Sequence, residues 1–503
     1  MIRTIILLTF LLASNFVGAI TERPNIIIIY VDDLGYGDLS CYGATAVSTP
    51  NVDKLAEEGV LFTDGHCSAA TCTPSRYSLL TGRYAFRVNA AVLPGDAPLL
   101  IDTKIPTLPK MLQEEGYKTA VIGKWHLGLG NGNVDWNGKV APGPLEIGFD
   151  YSYLIPSTGD RVPSVMLENY HVVGLDKEDP IQISYKKKIG NDPTGIENPE
   201  LLRYPSDELH GKTIINGVSR IGYMSGGNAA RYKDETVPWQ MLNKARKFID
   251  KNEEQPFFLY FAFHDIHVPR LPDARFMGTT KMGVRGDAIA QMDFITGELV
   301  KHLEKKGLKE NTLIIFSSDN GPVLDDGYSD QSLELIGNHK PNGPFRGNKY
   351  SAYEAGTRVP TILYWPNKIK PGVSEALVTH TDLYASIAEL IGHELEDMEA
   401  PDSYEMWTTF AGESEKGRNF LLEESVTLSL RHGNYKYIHP TTKKAPWIKE
   451  QKNIEAGISQ KPQLFDLHAD IKEEKNIAEQ SPEILKLMQQ EIERILRHEK
   501  SRK

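Results

Sequence analysis

An α/β fold is the expectation from this sequence, and three observations carry it. Asn25–Val31 and residues 312–316 are apolar, largely β-branched runs without polar alternation, the pattern of strands buried on both faces of a parallel sheet. Segments with helical periodicity fall between such runs. Four strand candidates end in polar groups, Asp32/Asp33, Lys124/His126, His264 and Asp319/Asn320, and open α/β sheets bind ligands outside the carboxyl ends of their strands.

Taken in order, the first strand is followed by a short amphipathic helix at 51–59 that stops at a glycine. A second helix covers 107–115 and a strand 117–122, leading into Gly123-Lys124-Trp125-His126-Leu127-Gly128. From 128 to about 237 the periodicity fades, and so long an irregular stretch inside a compact domain points to function or disorder. Regular structure resumes with a helix at 239–251, a strand at 256–263, a helix at 288–306 and the strand at 312–316. After the helix Leu383–Ile391 the composition turns to Glu, Asp and Pro, which sets a boundary between 401 and 415. The tail holds strand candidates at 419–422, 435–439 and 463–466 and an amphipathic helix at 482–498.

The 503 residues suffice for one large domain and a smaller one, and the 40% hydrophobic and 24% charged content is that of a soluble globular chain. A net charge of -11 argues against a general nucleic-acid binder while leaving room for a locally basic pocket. Met1-Ile2-Arg3, an apolar run at 5–12 and Val17-Gly18-Ala19 describe a signal peptide over residues 1–19, cleaved after Ala19, so the protein is expected to be exported to the periplasm or beyond. No stretch is long and apolar enough to span a bilayer. Of the three cysteines, Cys41 and Cys67 are either a disulfide pair or two buried thiols.

Chemistry concentrates at Cys72-Thr73-Pro74-Ser75-Arg76, continuing to Leu79-Leu80-Thr81-Gly82-Arg83. Pro74 suits a first helical position, which would set Cys72 against free helix N–H groups with Arg76 one turn along. Alone, such a pair reads as a buried cysteine beside a surface arginine. Asp32, Asp33, Asp319 and Asn320 offer only oxygen, which suits a hard cation such as Ca²⁺ or Mg²⁺, unless they are two unrelated acidic turns.

The twelve-residue string resembles the signature of type I sulfatases of the alkaline phosphatase superfamily, in which the cysteine is oxidised to formylglycine by a maturation enzyme. The resemblance covers residues 25 to about 358 and implies a large mixed sheet flanked by helices, spanning residues 20–410, with a small antiparallel sheet and terminal helix in 411–503. It further implies a formylglycine nucleophile at Cys72 and one calcium ion held by Asp32, Asp33, Asp319, Asn320 and residue 72. Arg76, Lys124 and Lys349 are the implied sulfate-binding residues. His126 is implied to assist at the formylglycine hydroxyl, Asp319 to accept its proton, and His264 to bind sulfate and protonate the leaving alcohol, with His126 and His267 next in line. Segments around Asp160-Arg161 and Asp325-Asp326-Gly327-Tyr328 are similar to bacterial glycan sulfatases acting on galactose- or N-acetylgalactosamine-type sugars, which makes Asp160 and Arg161 candidate sugar contacts and a sulfated carbohydrate the expected substrate. The rivals are a phosphatase or phosphodiesterase of the same superfamily, which would use Ser or Thr and commonly two zinc ions, and an inactive glycan-binding relative.

Overall fold

The computed structural model describes residues 23–502 apart from 447, 449–451 and 453, so the expected signal peptide lies outside the described residues. A ten-stranded sheet runs Gly372–Ser374, Val60–Phe62, Thr361–Tyr364, Thr312–Ser318, Asn25–Val31, Phe257–Ala262, Lys118–Lys124, Tyr151–Ile155, Leu167–Glu168, His171–Val172. Its five central strands, Thr312–Ser318 to Tyr151–Ile155, are parallel, and the neighbours on both sides of them pair antiparallel.

Burial on both faces explains the missing alternation. Every residue of Asn25–Val31 is buried, but successive side chains enter different cores. Ile26, Ile28 and Tyr30 pack with Leu79, Leu80 and Trp125, whereas Ile27, Ile29 and Val31 pack with Met241, Leu242 and Ile295. Helices Cys72–Thr81, Leu108–Glu114 and Leu383–Ile391 contribute to the first core, and Pro50–Glu57, Val237–Lys251 and Gly283–Lys305 to the second. Each fully buried aliphatic side chain contributes roughly 1.5–3 kcal/mol, so such a strand has no position free for a polar residue until it leaves the sheet.

The irregular stretch is more ordered than its composition suggests. It contains the strand Tyr151–Ile155, which extends the parallel sheet, and short pairings such as Gln182–Ser184 with Tyr223–Ser225. In the tail, Leu421–Glu424, Leu428–His432, Tyr435–Ile438 and Gln463–Asp466 form an antiparallel sheet in chain order. Helix Pro482–Arg497 lays Met488, Ile492 and Ile495, spaced by four and three, onto Leu422, Leu430, Tyr437 and Leu464. The strand at Leu428–His432 was not anticipated, although Leu-Ser-Leu-Arg-His does alternate.

A buried ionic seam joins the C-terminal sheet to Asp64, His66 and Glu354 of the preceding part of the chain. Lys436 Nζ donates to Glu423 at 2.7 Å and Glu354 at 3.1 Å, His66 lies 2.7 Å from Glu423 and 2.8 Å from Asp64, and Arg431 pairs with Asp64 and Glu354. Removing one partner of such a group strands an opposite charge out of water. Lys436→Met is therefore expected to cost about 3–5 kcal/mol, read as a lowered denaturation midpoint, with Glu423→Gln in the same chain recovering part of it; no loss would show that the seam does not brace the fold.

Candidate functional site

The parallel strands end level: Val31 is opposite Ser318, Tyr30 opposite Ala262, and Lys124 opposite Ile155. Residues just beyond them therefore form one floor, on which Asp32, Asp33, Lys124, Asp319 and Asn320 are wholly buried. Backbone strain gathers here. Asp33, His126, Ile266 and Tyr350 have left-handed φ values of 58°, 55°, 83° and 74°, conformations that persist only where surrounding packing dictates them.

Helix Cys72–Thr81 starts on this floor and ends at Gly82, whose φ of 60° closes it. It begins at Cys72 itself rather than at Pro74, and proline is tolerated as third residue because every N–H of the first turn lacks a helical partner. Thr73 Oγ1 donates to the His126 carbonyl at 2.9 Å. Arg76 donates from Nε and Nη2 to Asp319 Oδ2 at 3.0 and 2.7 Å, and from Nη1 to the Lys124 carbonyl and Tyr260 hydroxyl at 3.3 and 3.2 Å. Arg76 is expected to bind sulfate, and the structure places its guanidinium against Asp319. Like Lys124, it is unexposed and paired with a floor carboxylate.

Lys124 Nζ lies 2.5 Å from Asp32, Lys349 Nζ 2.8 Å from Asp33, and Asn320 Nδ2 donates to Asp33 at 2.7 Å. Burial, aided by Asp319 and Asp33 and opposed by Lys124, lifts Asp32 to about 8. Burial also raises Asp319, but Arg76, Lys124 and Lys349 outweigh it and hold that carboxyl below its ordinary value. Asp32 Oδ1 and Asn320 Oδ1 are buried acceptors without a hydrogen-bond partner. Ligand atoms of Asp32, Cys72 and Asp319 lie within 4.8 Å of one another, as do those of Asp32, Asp33 and His267. Unpartnered oxygens beside crowded carboxylates fit a hard divalent cation, with the Cys72 sulfur among them.

A cavity of about 110 Å³ opens above Cys72, with His126, His267, Lys349, Asp160, Arg161 and Asp326 among its walls. His126 donates from Nε2 to the Leu93 carbonyl at 2.9 Å, leaving a buried, unpartnered Nδ1; burial, then Lys124 and Arg161, keeps it well below the usual histidine value. His264 is not brought into this cavity. The Gly159 N–H donates to its Nε2 at 2.7 Å, so that nitrogen carries no proton, and the ring faces a neighbouring cavity with Tyr232 and Asp234. His267 lines the cavity: Nδ1 donates to the Val268 carbonyl at 2.6 Å and Nε2 lies 3.9 Å from Asp33. Ile266, with its left-handed φ, lies between the two histidines, whose ring centroids are 5.7 Å apart.

Asp160 and Arg161 pair at 2.7 Å in the cavity wall, and His210 bridges Asp160 at 3.4 Å and Asp207 at 2.7 Å. Sequence reasoning missed His210 and Lys452, which also line the cavity. Neither follows a strand of the central sheet, and Lys452 sits in a basic stretch with Lys443 and Lys444 that reads as solvated. Cys41 and Cys67 are free thiols, Cys67 donating to the Ala69 and Thr357 carbonyls at 3.3 and 3.2 Å.

Residues 24–393 match the sulfatase family. The chain is 48% identical over 482 residues to the N-acetylgalactosamine-6-O-sulfatase of Bacteroides thetaiotaomicron, covering 95% of this chain and 94% of that one. Human arylsulfatase A is 30% identical over 496 residues, 94% of this chain and 87% of the relative. A solved Bacteroides thetaiotaomicron structure, from work on the metabolism of multiple glycosaminoglycans, superposes with a TM-score of 0.93 at 48% identity, covering 95% of this chain and all of that one. These likenesses favour the sulfatase over a phosphatase or an inactive binder, and the chain belongs to the sulfatase family as a sulfuric ester hydrolase.

Proposed function

We propose that this protein is an exported, calcium-dependent glycan sulfatase that removes sulfate from a galactose- or N-acetylgalactosamine-type sugar, with the 6-sulfate of N-acetylgalactosamine the first substrate to test. The observation that carries it is the cavity over Cys72, where Lys349, His126 and His267 meet an acid pair, Asp160 with its Arg161 partner, suited to sugar hydroxyls. The name of the Bacteroides relative supports the choice of sugar.

Asp32, Asp33, Asp319 and Asn320 would hold Ca²⁺, which supplies positive charge to the sulfate oxygens. Residue 72, oxidised to formylglycine and hydrated, supplies the oxygen nucleophile for sulfur. Lys124 and Lys349 balance the negative charge that grows on the sulfate, and Asp319, fixed by Arg76, accepts the nucleophile's proton. His126 presents a lone pair at Nδ1 that can remove the proton of the second hydroxyl when sulfate is expelled. His267, with Nδ1 tied to Val268, has Nε2 free to protonate the departing sugar oxygen. Burial, Lys349 and Lys124 hold His267 well below its ordinary value, and an anion bound beside Nε2 opposes that depression.

Mass spectrometry of protein exported from a host that carries a maturation enzyme should find a chain starting at Ile20 with formylglycine at position 72. Fully active protein with an intact thiol would sink the nucleophile, and Cys72→Ser should not rescue Cys72→Ala.

Chelation should abolish turnover, and Ca²⁺ should restore it better than Zn²⁺, because the four protein ligands are hard oxygens. Activity surviving exhaustive metal removal would rule out the proposed ligand set.

A general acid contributes ~10²- to 10⁴-fold and matters less as the leaving group improves. His267→Ala should thus cripple hydrolysis of a sugar sulfate far more than of an activated aryl sulfate, whereas Lys349→Ala should depress both. His264→Ala should change the ratio of the two rates little; a selective loss there, with His267→Ala neutral, would return the acid to His264.

A further inference from the structure

The cavity over Cys72 must admit an anion, yet Asp326, only 5% exposed, stands in its wall. That carboxylate has work to do. Lys349 Nζ donates to it at 3.2 Å, and the Tyr350 hydroxyl reaches both of its oxygens at 3.2 and 3.3 Å. Lys349 is thereby fixed between Asp326 and Asp33. The cost is electrostatic: a fixed carboxylate beside a sulfate site repels the substrate, and burial leaves little water to screen it.

Lys452 resolves this conflict. It arrives from the C-terminal part of the chain, 126 residues beyond Asp326, and its ammonium contacts Asp326 Oδ1, the oxygen remote from Lys349. The side chain is 8% exposed and lines the same cavity. Its surroundings are acidic: burial lowers Lys452 from the usual lysine value, and Asp207, Asp160, Asp325 and Asp33 oppose that shift. The other wall acid is treated alike, since Asp160 has Arg161 at 2.7 Å. Each carboxylate in the wall carries its own cation.

We propose that Lys452 is a positioning residue of the sulfatase reaction, cancelling the charge of Asp326 so that Asp326 can anchor Lys349 without turning the cavity against an anionic substrate. This rests on the reading that Lys349 binds sulfate. The C-terminal part of the chain then contributes to the electrostatics of the site as well as to its scaffold.

The test uses matured, Ca²⁺-loaded full-length protein, an aryl sulfate as substrate and inorganic sulfate as competitive inhibitor. K452M should raise KM and the sulfate inhibition constant about tenfold, with a smaller change in kcat, because one uncompensated buried charge is left near the bound anion. K452R should stay within about threefold of wild type, since it keeps the charge. D326N in the K452M background should recover most of the sulfate affinity, because the repelling charge is gone. Unchanged sulfate affinity in K452M overturns the proposal. So does a loss that D326N fails to recover, which would mean that Lys452 touches sulfate directly. If K452M does not fold, D326N/K452M carries the test: sulfate affinity within about threefold of wild type is expected, and a tenfold loss overturns it. K349A separates the two layers. Intact sulfate affinity in K349A defeats the underlying reading of the site, whereas weakened binding in K349A with an unaffected K452M defeats only the role of Lys452.

Discussion

Arg76 and Asp319, both without exposure, meet through two N–H donors on one carboxylate oxygen, and this pair joins the helix that begins with Cys72 to the strand that ends at Ser318. Either charge left alone in that interior would cost about 3–5 kcal/mol, so neither element can shift without the other. A second brace runs behind it. The Tyr30 hydroxyl lies 2.9 Å from Ser75 and 3.0 Å from His380, whose other nitrogen lies 2.7 Å from Ser317. The central strand, the Cys72 helix and the strand before Asp319 are thus held by hydrogen bonds as well as by packing, and the position of residue 72 against Asp32 and Asp319 follows from that.

The same principle governs the rest of the floor. Asp32 is paired with Lys124, Asp33 with Lys349, and Asp319 with Arg76, so three carboxylates coexist within a few ångströms because each has a cation fixed against it. Those lysines are ordered by the acids, so in the proposed reaction they would meet sulfate with no rotamer search left to make.

How much of this was legible in the sequence depended on whether a residue's neighbours are set by the chain or by the fold. Asp32, Asp33, Asp319 and Asn320 follow unalternating strands, and sheet register alone brings them together. Helix Cys72–Thr81 was found by its motif, although its direction of approach turned Arg76 inward, which no spacing rule reveals. The His-x-x-His pair is legible as a pair, but which ring lines the cavity over Cys72 is set by the left-handed Ile266 between them, which the sequence does not announce. His210 lies in a region held by bridges such as Ser206 with Tyr328, and Lys452 meets Asp326 from 126 residues away, so nothing near either in sequence announces the cavity. The same holds for Leu93, known only through its carbonyl on His126.

The burial of Cys72, at 1% exposure beneath the cavity, would also set a schedule for the oxidation proposed at that residue. The sulfur lies at the first residue of a helix whose every position is buried, under a cavity of about 110 Å³ that no macromolecule can enter. An enzyme that carried out the proposed oxidation by gripping the residues around Cys72 would have to meet them while the segment is still extended. Lys452, and Lys436 of the ionic seam, are made hundreds of residues after Cys72, so under the proposed oxidation a chain that folded first would keep its thiol.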